Sequence, residues 1–382
     1  MRVLILSCAT GEGHNSAAKA IWEYVKMRKI ECEVVDTLSL ISPVVSQTAS
    51  DVYVFSTRTR LFKLLYNAGT KVSSYKSKSP VYFANKLYCD KLLEYINKNE
   101  YDTIICTHLF PAEALTALIK AKKLLATTVF VMTDYTCIPF IEETQLDYYI
   151  VPHEHLIEEC VKKGLARDKL LPYGIPVKQI FYTSQSKAQA RMECKQLFAE
   201  KLNENEKWLL IMSGSMGYGN LIDLVKQIIV ECGMKVEIFL VCGNNTKLQK
   251  SLTKEFSRNK NITILGFTDR ISMLMNACDV LFTKPGGLSS TEAAAKNIPI
   301  IHTAPIPGCE TKNAEFFHYH GMSYSSSDIK EQVKRALRLC NDILYRDKMI
   351  SSQKMNINPD SSEDILNICE RSGRKREVDL QT

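Results

Sequence analysis

The chain has 382 residues, 45% of them apolar and 24% charged, with a formal net charge of +7. That length suits two domains of ordinary size, each with its own core, and no apolar run reaches the roughly 18 residues that span a bilayer. Thirteen cysteines at irregular spacing, with no Cys-x-x-Cys pair, exclude a disulfide framework or zinc ribbon and read as small buried apolar thiols. The first apolar run, Val3 to Leu6, is too short for a signal-peptide core, so the expected location is the cytosol.

The opening reads as strand, turn and helix. Arg2 to Ser7 is a short apolar run of the kind buried on both faces of a parallel sheet. Gly11-Glu12-Gly13 breaks it, and Asn15 to Lys26 then places Ala18, Ile21, Trp22 and Val25 on one helical face. Strands follow at Glu31 to Val35, Asp102 to Cys106, Thr127 to Met132 and Leu146 to Val151, with a helix from Pro111 to Lys123. Beyond a boundary between about 174 and 200 the alternation repeats. Strands are expected at 207–212, 236–241, 262–265, 280–282 and 298–302, and helices at 221–232, 271–277, 290–296, about 328–339 and 361–371. Ser361 and Asp364 form a capping-box pattern.

Strands alternating with helices in both halves predict an α/β protein with two doubly wound, Rossmann-like parallel sheets and a cleft between them. The expected division is residues 1–175, a linker 176–200, and 201–382, with C-terminal helices packing back on the first domain.

Three glycine turns sit between a strand and a helix: Gly11/Gly13, Gly214/Gly217/Gly219 and Gly286/Gly287. Such a turn lets backbone approach a phosphate, while the amides of the helix N-terminus point at it. None is a P-loop or a complete Gly-x-Gly-x-x-Gly. The third carries the most information. Lys284-Pro285-Gly286-Gly287-Leu288-Ser289-Ser290-Thr291-Glu292 combines open backbone, hydroxyls at a helix start and an acid about one turn in. That acid can accept both hydroxyls of a ribose, although the helix dipole also favours an acid near a helix start.

Six motifs, in order, resemble glycosyltransferase family 28: Gly11-x-Gly13-His14-x-x-Ala17-Ala18, Thr107-His108-x-x-Pro111, Thr133-Asp134, Gly266-Phe267-Thr268, Lys284 through Glu292, and Pro305-Ile306-Pro307-Gly308-x-Glu310-x-x-Asn313. The match is closer to its diacylglycerol glycosyltransferase and monogalactosyldiacylglycerol synthase branch and covers most of the chain. The resemblance implies a GT-B fold, an inverting hexosyltransferase, a UDP-sugar donor held by the C-terminal domain, and a lipid acceptor such as diacylglycerol approached by the N-terminal domain. By position it implies Glu292 on the ribose and Phe267 against the uracil. Gly13, Ser215, Gly286, Gly287, Leu288 and Ser289 fall to the donor side around the diphosphate, with Glu310 and Asn313 on the transferred sugar. One stretch departs from the pattern: Asp134 is followed by Tyr135-Thr136-Cys137-Ile138-Pro139-Phe140, without the histidine that relatives carry there, so the acceptor side differs.

Inverting transfer needs a base for the acceptor hydroxyl. His14, near a helix start that disfavours imidazolium, and Asp134, at a strand end, are both candidates, with either able to act and the other to assist. His108 is a candidate for the acceptor side. The chain has no Asp-x-Asp pair of the kind that holds a divalent ion in many transferases, and no metal or other cofactor is expected. The pairs His153/His155 and His318/His320 read as solvated or core histidines.

Between Arg58 and Lys91 eight basic residues meet one acid, Asp90, and the stretch from Tyr53 to Lys91 adds aromatics including Phe55, Phe62, Tyr66, Tyr82 and Phe83. Basic and aromatic side chains together suit an anionic membrane surface. The expectation is a peripheral protein on the inner face of the cell membrane, with no nucleic-acid partner. Two alternatives stand beside it: a polyprenyl-linked or other glycolipid acceptor, and a non-catalytic UDP-sugar sensor.

Overall fold

A computed structural model describes residues 1–8, 12–40, 78–198, 202–213, 221–233 and 235–381, with side chains as far as residue 372. The first sheet contains β1 (Arg2–Ser7), β2 (Glu31–Asp36), β3 (Thr103–Cys106), β4 (Thr127–Val131), β5 (Tyr148–Ile150) and β6 (Leu170–Leu171). Their order is β2-β1-β3-β4-β5-β6, with every pair parallel. The central strands are buried along their length, as continuous apolar runs require when helices cover both faces. Val3, Ile5, Ile105, Val129 and Val131 form one core with Ala18, Ile21 and Val25 of the helix Glu12–Met27 and Ile365, Leu366 and Cys369 of the helix Ser361–Gln381.

The second sheet contains β7 (Lys207–Met212), β8 (Val236–Val241), β9 (Ile262–Leu265), β10 (Val280–Thr283), β11 (Ile300–His302) and β12 (Tyr324–Ser325). It is ordered β12-β11-β10-β7-β8-β9 and is also fully parallel. Register places Met212 beside Thr283 and Val241, Thr283 beside His302, and Val241 beside Leu265. The loops that leave these strands therefore start level, along one carboxyl edge.

Contacts divide the chain into Met1–Gln179 with Asn358–Thr382, and Ile180–Ile357. The stretch 176–200, read as a linker, carries the helix Lys187–Leu197, opened by a capping box from Ser186 and Gln189 and packed within the second unit. The last helix belongs to the first unit. Ser361 Oγ donates to Gly174 O at 2.9 Å, and Asn358 Nδ2 to Tyr173 O at 3.0 Å.

Several boundaries differ from expectation. The first helix begins at Glu12, so Gly13 is its second residue rather than part of a turn. The helix expected at 290–296 begins at Gly287, with Gly286 as its N-cap. The helix expected from Pro111 begins at Leu109, and the strand expected at 298–302 is shortened to Ile300–His302. All thirteen cysteines are free, eleven of them buried, as apolar thiols should be.

Candidate active site

In the first unit the sheet register sets Leu6 beside Cys106 and Cys106 beside Phe130. The residues following β1, β3 and β4 therefore leave the sheet together at its carboxyl edge, where open α/β sheets bind ligands. Ser7 Oγ donates to Asn15 Oδ1 at 2.7 Å, tying the strand end to the start of the helix Glu12–Met27. His14 is the third residue of that helix. Its Nδ1 lies 2.7 Å from the carbonyl oxygen of Thr107 and 3.0 Å from Thr133 Oγ1.

A carbonyl can only accept, so Nδ1 carries the proton and Nε2 is left with the lone pair. Burial of the ring holds the His14 pKa below its ordinary value, partly offset by the charge of Asp134 and the bond to Thr107. His14 is thus a neutral imidazole with a basic Nε2.

His108 caps the helix Leu109–Lys120, its Nδ1 accepting from Phe110 N at 3.2 Å. That assigns its proton to Nε2. Its ring meets His14 edge-on, with centroids 4.7 Å apart. Burial and the neighbouring His14 push its pKa well down, so it too is neutral. The pair therefore offers one acceptor and one donor nitrogen side by side. Asp134 follows Thr133, and the turn beyond it is pinned by Glu159, whose Oε1 accepts from Thr136 Oγ1 at 2.7 Å and Cys137 N at 2.8 Å. The structure brings His14, His108, Thr133 and Asp134 together. The parts played by the Thr107 carbonyl and the Thr133 hydroxyl were not read from sequence, although both residues lie in motifs that were.

In the second unit the turn after β10 leads into the helix Gly287–Ala295. Its N-cap, Gly286, supplies no side-chain cap, which leaves the first amides available to an anion. Gly287, Leu288, Ser290, Thr291, Ala293 and Ala294 are buried. Ser289 and Glu292, three residues apart, share the face that is not. Leu288, expected at the diphosphate, has a core side chain 6% exposed, so only its backbone can serve there.

Lys284 Nζ pairs with Glu310 Oε1 at 2.5 Å, and Glu310 Oε2 accepts from Ile306 N at 2.8 Å. Asn313 is fully buried and donates from Nδ2 to Pro285 O at 3.0 Å. Asn313, expected on the transferred sugar, braces the Lys284-Pro285-Gly286 turn through this bond. The helix Cys309–Tyr319, which carries Glu310 and Asn313, starts after Gly308 at φ +120°, ψ −129°, backbone that only glycine adopts without strain. It too lacks a side-chain cap. Two helix N-termini are thus tied together by Lys284–Glu310 and Asn313–Pro285. The motif from Lys284 to Glu292 marks Lys284 by position, and its pairing with Glu310 is visible only in the fold.

Phe267, after β9, is 73% exposed, open to stacking. Ser215 and the other glycine-loop residues 214–219 lie outside the described residues, as do Phe55, Phe62 and Tyr66. Of the nearby aromatics, Tyr82 is buried beneath Lys78 and Lys120, whereas Phe83 is 58% exposed. His153 caps a short helical turn, its Nδ1 accepting from His155 N at 3.3 Å.

Residues 14–177 match the monogalactosyldiacylglycerol (MGDG) synthase family, and residues 195–355 match glycosyl transferases group 1. The chain is 29% identical over 361 residues to a protein of Bacillus pumilus named processive diacylglycerol beta-glucosyltransferase, covering 93% of this chain and 90% of that one. The protein of the same name from Bacillus subtilis is 29% identical over 355 residues, covering 91% and 89%.

The chain is a glycosyltransferase, similar along most of its length to these diacylglycerol glucosyltransferases.

Its fold is GT-B. The solved structure of MurG from Acinetobacter baumannii superposes with a TM-score of 0.61 at 12% identity, covering 97% of this chain and 99% of that one. UDP-GlcNAc 2-epimerase from Neisseria meningitidis, bound to UDP-GlcNAc, gives 0.61 at 13% identity, covering 96% and 99%. At such identity these likenesses speak to fold alone. The glycosyltransferase has no helix, among its described residues, long and apolar enough to cross a membrane.

Proposed function

We propose that this glycosyltransferase moves a hexose from a UDP-sugar to diacylglycerol, with inversion at the anomeric carbon. The observation that carries the proposal is the His14 tautomer, fixed by the Thr107 carbonyl so that Nε2 is the basic atom. The acceptor hydroxyl loses its proton to His14 Nε2 as its oxygen bonds to the anomeric carbon, and the bond to the β-phosphate oxygen breaks on the opposite face. Asp134 stabilises the imidazolium that forms, as its raising effect on the His14 pKa supports. His108, through Nε2–H, orients the acceptor oxygen.

In the second unit the amides at the start of the helix Gly287–Ala295, together with Lys284, take the developing diphosphate charge. Glu292 binds the ribose hydroxyls and Phe267 covers the base. This leaving-group step needs no divalent ion, so a chelator leaves turnover unchanged.

The lipid acceptor implies a membrane approach, which we assign to the cytoplasmic face. The described part of the basic, aromatic segment supports this. Phe83 and Leu87, four residues apart, are 58% and 89% exposed, and Lys86 and Lys91 are exposed beside them. The test is UDP release from a panel of UDP-sugars, with and without diacylglycerol in anionic vesicles. Release stimulated by diacylglycerol supports the reading. Stimulation only by other glycolipid or polyprenyl acceptors moves the acceptor assignment, and no UDP-sugar turnover overturns the reading.

A further inference from the structure

His302 ends β11 and is fully buried. Its Nε2 lies 2.9 Å from Ser290 Oγ, and its Nδ1 lies 3.0 Å from Ser323 Oγ. Its ring also meets Phe317 edge-on, with centroids 5.5 Å apart. Burial, with His318 nearby, depresses its pKa to about 3, so the bridge is a neutral imidazole at any working pH.

The bridge matters because of where Ser290 sits. Ser290 is the fourth residue of the helix Gly287–Ala295, and its amide closes the first helical hydrogen bond, to Gly286 O at 3.0 Å. The direction of the amides at 287, 288 and 289 follows from that first turn. No side-chain cap holds them, so the turn must be held from beneath. Phe317 belongs to the helix Cys309–Tyr319, which carries Glu310. One imidazole therefore touches both helices whose N-termini meet at the Pro285 turn.

We propose that His302 is a positioning residue for the nucleotide donor: by holding Ser290 it aims the first-turn amides of the helix Gly287–Ala295 at the diphosphate. The proposal rests on the donor site described under the proposed function. It concerns only the bond from Nε2 to Ser290; the bond from Nδ1 to Ser323 anchors the imidazole to the core.

The two ring nitrogens can be tested separately. His302→Gln retains a polar group near the Nε2 position, whereas His302→Asn retains one near Nδ1. The measurements are the Kd for UDP by calorimetry, the donor KM and kcat, and the thermal midpoint, all on the full chain. His302→Asn and Ser290→Ala should each weaken UDP binding and raise the donor KM about five- to tenfold, the scale of one hydrogen bond. Their effects should not add. His302→Gln should restore most of the UDP affinity, and Ser323→Ala should lower the midpoint while leaving it intact. A merely structural histidine would move the midpoint in all four variants and UDP affinity in none, and that result overturns the inference. If His302→Asn fails to fold, Ser290→Ala against Ser323→Ala decides alone. Native protein that binds no UDP overturns the donor-site reading and this inference with it, whereas native binding unchanged in Ser290→Ala overturns this inference only.

Discussion

The Nδ1 of His14 lies 2.7 Å from the carbonyl oxygen of Thr107, a contact made across 93 residues of sequence. It joins the helix after β1 to the end of β3 and determines which ring nitrogen can accept a proton. Thr133, from the end of β4, reaches the same nitrogen. Three adjacent strands thus converge on one atom, and the chemistry at the other nitrogen follows.

If His14 is the base, His14→Gln should lower kcat about 10²- to 10⁴-fold, with little change in donor KM. Asp134→Asn should leave measurable activity, because Asp134 only stabilises the imidazolium. Near-complete loss in Asp134→Asn with a mild effect in His14→Gln would reverse the two roles. Steady-state kinetics on both variants decide.

The pH profile supplies a second reading. If His14 is the base, its neutral form is the active one, so activity should be level at neutral pH and fall as His14 is protonated. Burial holds its pKa below the ordinary value of 6.5, which places the falling limb on the acid side of 6.5. Asp134 raises that pKa, so Asp134→Asn should move the limb to still lower pH. A limb that stays in place would show that Asp134 does not act through His14.

Lys284 is held by Glu310 beside two uncapped helix N-termini. Replacing it with Gln should lower kcat/KM for the donor about 10²-fold, the scale of one lost stabilising donor at a developing charge. Glu310→Gln should show a smaller loss, since Lys284 remains. Equal losses in stability with no change in turnover would make the pair structural.

Glu113 tests the first unit's core by a separate route. It is fully buried, its Oε2 accepts from Asn85 Nδ2 at 2.7 Å, and desolvation raises its pKa to about 8. A raised pKa means that the folded state holds a proton the unfolded state has released. The resulting stability is fully present below the ordinary value of 4.5 and is lost as pH rises through about 8. Thermal midpoints of the native protein should therefore fall across that window relative to Glu113→Gln, which keeps the acceptor for Asn85 and cannot ionise. Parallel curves would contradict the assignment.

Much of the fold was legible because buried parallel strands are near-continuous apolar runs. β1, β7 and β8 stand out for that reason, as does the helix face of Ala18, Ile21 and Val25. Strands of two residues, β6 and β12, carry too few side chains to declare a period. The helix Gly287–Ala295 was read three residues late, because glycine has poor helix propensity and Gly286-Gly287 reads as a turn. Its start there is compatible with packing because both Gly287 and Leu288 are buried. His14, His108 and Asp134 were legible as chemistry in motifs. Their convergence depends on β3 lying between β1 and β4, which no local pattern encodes. Asn313 is a related case: its motif marks its neighbourhood, whereas only the fold shows its amide turned to the Pro285 carbonyl. His302 carried no signal, since a lone histidine closing an apolar strand looks like any other polar strand end.

The central claim is hexose transfer to a lipid hydroxyl, with His14 as base. Its most direct test is label transfer from a UDP-[¹⁴C]hexose into the lipid phase of diacylglycerol-containing vesicles, comparing native protein with His14→Gln. The account predicts diacylglycerol-dependent incorporation by the native protein, as the inverted glycoside, and its near-complete loss in the variant while UDP still binds. Incorporation undiminished in His14→Gln, or label released only as free sugar whatever the lipid, would contradict it.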